Sequence, residues 1–93
     1  MLRQDVLDVI ESEVRYAKGW DEKTGSERPE KDADKSVEFW VLHLERYVQQ
    51  ARDGCKGVDK TPALEAIRKI ASMCYRCMEN KTTPKREGEL TPY

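Results

Sequence analysis

Between Ser36 and Gly54 the chain places an apolar residue at almost every helical return. Val37, Trp40, Val41, Leu44, Tyr47, Val48 and Ala51 share one broad stripe, and Phe39 and Leu42 widen it. That period predicts an α-helix over about residues 37–53. Ser36 suits the N-cap, because its hydroxyl can accept from an otherwise unpaired backbone N–H. Gly54 is a natural stop. The apolar arc is too wide for one neighbour in a three-helix monomer. It predicts a homodimer that completes a four- to six-helix bundle, with Phe39, Trp40, Leu42 and Tyr47 at the interface.

Two more helices follow from the same logic. Val6, Ile10, Val14 and Ala17 recur at helical spacing within residues 2–17, and Gly19 ends that run. Thr61-Pro62 opens a third helix over residues 62–79, with Thr61 as cap and Pro62 where a missing N–H costs nothing. Its inward face is expected to hold Leu64, Ile67, Ile70, Ala71, Cys74, Cys77 and Met78, with Asn80 closing it. Residues 18–35 carry Gly19, Gly25, Pro29 and a charge run, and are expected to form a mobile loop with Trp20 packed back on the core edge. Residues 81–93 are expected to be a flexible tail. The prediction is an all-α fold: one domain over residues 1–80, a three-helix unit whose second and third helices form a long antiparallel hairpin.

Composition narrows the classes of function. Charged residues make up 38% of the 93 and the mean hydropathy is -0.87, so no segment is apolar enough to cross a membrane. Met1–Glu11 mixes Arg3, Asp5 and Asp8 with aliphatics and does not read as a secretory signal. A cytoplasmic location is expected. The three cysteines, Cys55, Cys74 and Cys77, then read as reduced thiols. Cys74 and Cys77 fall inside a helix on its apolar face and read as small core residues rather than as half of a zinc site. The net charge of -1 argues against general attraction to nucleic acid or membrane. The balance is uneven. Residues 1–55 hold nine Lys/Arg against thirteen Asp/Glu, and residues 56–93 hold eight against five.

Within that frame a few side chains carry chemistry. His43, the single histidine, lies between Trp40 and Tyr47 on one helix face and reads as packing rather than as a general base. Glu38 and Glu45 stand two turns apart on the second helix, Glu65 opens the third, and Glu11 and Glu13 lie on the first. Carboxylates projecting from facing helices are what a magnesium–phosphate site requires. Arg46, Arg68, Lys69 and Arg76 are the candidate anion or phosphate contacts.

Three stretches carry a family resemblance: Ile10-Glu11-Ser12-Glu13-Val14-Arg15-Tyr16 with Lys18 and Trp20; Trp40-Val41-Leu42-His43-Leu44-Glu45; and Ala63-Leu64-Glu65-Ala66-Ile67-Arg68-Lys69-Ile70-Ala71 with Cys77-Met78-Glu79. In order and spacing, over about residues 8–80, they resemble small phage and prophage proteins related to the MazG-like, all-α nucleoside triphosphate pyrophosphohydrolases. Active members of that family hydrolyse nucleoside triphosphates with magnesium. Their acids come as E-E-x-x-E on one helix and E-x-x-D on the next. Here the first cluster reads Glu45-Arg46-Tyr47-Val48-Gln49 and keeps only Glu45. The second reads Glu65-Ala66-Ile67-Arg68 and keeps Glu65, with Arg68 in the aspartate position.

Arg46 and Arg68 would repel the cation that the lost acids held. The resemblance therefore implies a non-catalytic helical protein of phage type, without a cofactor, that works by binding a protein or a nucleotide. The alternative is a magnesium-dependent pyrophosphohydrolase with a variant site, in which Glu45 and Glu65, joined by Glu38, serve as catalytic and metal-binding acids. Nucleic-acid binding through Arg68, Lys69, Arg76, Lys81, Lys85 and Arg86 is the weakest of the three readings, because no exposed aromatics interleave with these cations.

Overall fold

The computed structural model describes residues 1–19, 32–84 and 86. Helix α1 spans Arg3–Ala17, α2 spans Val37–Gly54 and α3 spans Thr61–Lys81, with a single 3-10 turn at Asp32–Asp34. There is no strand among the described residues, and the fold is all-α. The place assigned to Trp20 lies outside the described residues.

Local chemistry sets the helix ends. Asp5 accepts from the Leu2 backbone N–H at 3.1 Å and closes the first turn of α1. Gly19 follows α1 with φ 70, a left-handed conformation that suits glycine after a helix, and its N–H donates to the Tyr16 carbonyl at 3.1 Å. Ser36 Oγ accepts from the Phe39 N–H at 3.1 Å, the cap its residue type predicts.

At the start of α3 the cap differs from expectation. Thr61 is already helical, and Asp59 Oδ1 accepts from both its N–H at 2.9 Å and its hydroxyl at 2.7 Å. These bonds favour the ionised carboxylate, so the Asp59 pKa is lowered. At its other end α3 runs past Asn80 to Lys81, because the Asn80 side chain donates back to the Arg76 carbonyl at 2.8 Å instead of stopping the helix.

Helix α3 is the spine. It packs against both α1 and α2, while α1 and α2 make no comparable contact with each other. Gly54 faces Ala63, Lys69 lies over the Tyr47 ring and Arg76 lies over the Trp40 ring. Partner numbers fall along α3 as they rise along α2, so the pair is antiparallel. Between α1 and α3 the ion pairs Glu13–Arg68 and Lys18–Glu79 rise together, so those two helices run in the same sense.

The buried apolar core is small: Val14, Trp40, Ala63, Ala66 and Met73. This corrects the expected inner face of α3. Leu64, Ile67 and Met78 are exposed, and the buried positions are Ala63, Ala66, Ser72 and Met73. The two flanking helices sit on edges of α3 where small residues admit close approach, and the larger aliphatics are left uncovered. Trp40, expected at an interface between chains, is 1% exposed and belongs to the core of this one.

The segment expected to be a mobile loop is also corrected at its end. The 3-10 turn fixes residues 32–34, and Asp32, from a charge run that reads as solvated, is 4% exposed.

Candidate functional site: an aromatic and cationic cleft

A half-open cleft of about 330 Å³ lies along α3 between α1 and α2. Glu13, Tyr16 and Ala17 of α1 form one wall, and Phe39, Trp40, His43 and Tyr47 of α2 form the other. Lys69, Ser72, Met73 and Arg76 of α3 make the floor, and Lys35 stands at the rim. The α2 wall follows from period alone, since 39, 43 and 47 recur every turn on the edge next to buried Trp40. Phe39 and His43 rings stack at 4.3 Å between centroids, tilted by 47°. His43 is thus part of an aromatic wall, as its neighbours predict.

Charge in the cleft is held in a fixed order. Asp32 Oδ2 accepts from Arg76 Nε and Asp32 Oδ1 from the Arg76 terminal nitrogen, both at 2.8 Å, a bidentate pair. Lys35 Nζ donates to the same Oδ1 at 2.9 Å. The Arg76 bonds hold the Asp32 carboxyl down at about 2, against the opposing effect of its burial, and Lys35 adds in the same direction. Lys35 Nζ also sits 5.1 Å from the Trp40 ring centroid and 5.4 Å from that of Phe39. Lys69 Nζ lies 5.9 Å from the centre of Tyr47. Arg68 is bound to Glu13 at 2.8 Å. Three cations, Lys35, Lys69 and Arg76, line the cleft against one lining carboxylate, Glu13, with Asp32 bound behind Lys35 and Arg76. The cleft carries excess positive charge.

Two buried polar atoms face no partner. Ser72 Oγ and Trp40 Nε1 are both enclosed, and neither makes a hydrogen bond. Ser72 is 2% exposed and Trp40 1%. Buried polar groups without partners are uncommon and costly, and these two lie within the packing behind the cleft rather than on its accessible surface.

The residues expected to form the site separate into two sets. Lys69 is at the cleft with its ammonium group beside an aromatic face. Arg76 is there too, but Asp32 occupies its guanidinium, so Arg76 builds the site instead of meeting an external anion. Arg68 is likewise engaged, by Glu13. Arg46 is exposed on α2 and is not among the cleft-lining residues. Glu38, Glu45 and Glu65 are all exposed, and Glu65 borders a separate shallow groove with Asp53 and Gln50. Among the described residues no three His, Cys, Asp or Glu side chains gather as a metal-binding group. Of the expected interface set, Phe39 and Tyr47 line the cleft, while Leu42 is 60% exposed on the outer side of α2.

Sequence reasoning passed over Asp32, Lys35 and Ser72. Asp32 and Lys35 belong to a run of charges, and nothing local tells a buried charge from a solvated one. Ser72 carried a signal: it is a small polar residue between Ala71 and Met73 in an otherwise apolar stretch of α3.

No family model, curated protein or solved structure matches the chain. No described helix is long and apolar enough to cross a membrane.

Proposed function

We propose that the protein is a small, non-catalytic binding protein whose cleft takes a nucleotide-type ligand: a planar ring joined to a phosphate. One observation carries this reading. The cleft unites an aromatic wall and excess positive charge in one concavity. Its volume falls within the range of small-molecule sites, ~300–1,000 Å³. The ring of such a ligand lies against Phe39, His43 and Tyr47. Its phosphate meets Lys69, whose ammonium group pairs with no carboxylate among the described residues, and Lys35, which is shared with Asp32.

The loose likeness of three stretches to MazG-like pyrophosphohydrolases points to the same ligand class. The hydrolase alternative needs converging acids. Glu38, Glu45 and Glu65 are exposed instead, and the one carboxylate lining the cleft, Glu13, is bound to Arg68. A cytoplasmic role, with reduced cysteines and a phage or prophage context, belongs to the same proposal.

Amide chemical-shift mapping tests the site. A nucleoside monophosphate added to the labelled protein is expected to shift Phe39, His43, Tyr47 and Ser72 in a saturable way. Shifts confined to Glu38, Glu45 and Glu65, and dependent on magnesium, overturn the proposal in favour of a hydrolase.

A further inference from the structure

The face opposite the cleft is apolar, and no described helix covers it. On α2 the cleft wall uses the edge at 39, 43 and 47. The opposite edge is Val37, Val41, Leu44 and Val48, spaced at helical returns, with the three valines each about half exposed. On α3 the cleft floor uses 69, 72 and 76. The opposite edge is Leu64, Ile67, Ala71, Cys74 and Met78, in which Leu64 is 63% exposed, Ile67 51% and Met78 49%. Because α2 and α3 lie side by side, the two stripes share one face. No charged residue interrupts either.

We infer that this face is the interface with a second copy of the chain, joined back to back about a two-fold axis with both clefts facing outward. Three features favour a second copy over another partner. The first is area. Six half-exposed aliphatic side chains leave roughly 500 Å² of apolar surface in water, as much as monomers carry. With Leu44, Ala71 and Cys74 at their edges, this approaches the ~800 Å² that each partner brings to a standard interface. The second is self-complementarity. An uncharged stripe meets its own copy without like-charge repulsion, and a two-fold axis makes each contact twice. The third is the smallness of the core. Five buried apolar residues are few for the three described helices, and a second layer supplies what one copy lacks. The inference is independent of the ligand reading, because the cleft lies on the other face.

Two measurements on the full chain decide it. Sedimentation equilibrium at tens of micromolar is expected to give twice 10.8 kDa. Mixed labelled and unlabelled protein is expected to show nuclear Overhauser contacts between copies at the Val41, Val48 and Ile67 methyl groups, a readout that needs no variant. Val41→Glu with Ile67→Glu is expected to halve the mass while circular dichroism keeps the helical signature. A monomer at that concentration overturns the inference. So does a dimer whose contacts between copies fall at Tyr16 or Phe39 on the cleft side.

Discussion

Arg76 on α3 and Asp32 in the 3-10 turn meet through two parallel 2.8 Å hydrogen bonds across 44 residues of sequence. Their side chains are 12% and 5% exposed, so the pair works in a medium where charge is expensive to leave alone. It ties the end of the segment before α2 to the spine and places Lys35 over the aromatic wall.

The first prediction concerns acid stability. The Asp32 pKa is lowered from 3.8 to about 2, so its stabilisation is full above the unfolded value and is lost as pH falls through about 2. The difference corresponds to about 2 kcal/mol. Asp32→Asn is expected to destabilise the protein by that order at pH 7. The gap between variant and parent should close in strong acid. Urea unfolding at both pH values checks this, and a gap independent of pH contradicts the role given to the carboxylate.

Gly54 marks a close approach of α2 to the start of α3. A Cβ there would stand 2.5 Å from the Ala63 backbone nitrogen and 2.9 Å from its Cα, and backbone cannot swing aside as a side chain would. Gly54→Ala is expected to cost about 1–3 kcal/mol by overpacking, despite its better helix propensity. Gly57, whose nearest neighbour to such a Cβ is 3.9 Å away, serves as the control. Equal melting temperatures for the two alanine variants would contradict the close approach.

Ser72→Ala separates stability from function. Its hydroxyl is buried without a partner, so removing it relieves an unsatisfied group and is expected to leave the free protein unchanged or stabler by about 1 kcal/mol. Because the hydroxyl is enclosed behind the cleft floor, the same change is expected to leave nucleotide binding unaltered. Thermal melts with and without ligand measure both. Loss of stability in the free protein would mean that the hydroxyl already has a bond.

Much of the architecture is legible in the sequence, and part of the site is. The three helices follow from apolar period, and the Ser36 cap and Gly19 stop from residue chemistry. The aromatic wall can be traced through Phe39, His43 and Tyr47. What escapes is whatever depends on the angle at which helices meet. The period of α3 supports either of two faces, and only packing against α1 and α2 selects Ala63, Ala66 and Met73 over Leu64, Ile67 and Met78. Asp32 and Arg76 are each ordinary in their local context, and their pairing exists only once the chain has folded. Trp40 reads equally well as core or interface until its neighbours are known.

The exposed acids make a complementary prediction. Glu38→Gln, Glu45→Gln and Glu65→Gln are each expected to change stability by no more than ~0.5 kcal/mol, as surface positions do, and to leave ligand affinity unaltered. A tenfold or greater loss of affinity or turnover in Glu45→Gln would restore the hydrolase reading.

Calorimetric titration with a panel of nucleoside mono- and triphosphates, in EDTA and then in magnesium, with pyrophosphate followed in parallel, tests the central claim most directly. The expected result is saturable binding in EDTA, weakened about tenfold or more in Tyr47→Ala through loss of ring stacking, with no pyrophosphate released. Binding that requires magnesium and releases pyrophosphate, or no binding by any member of the panel, would contradict it.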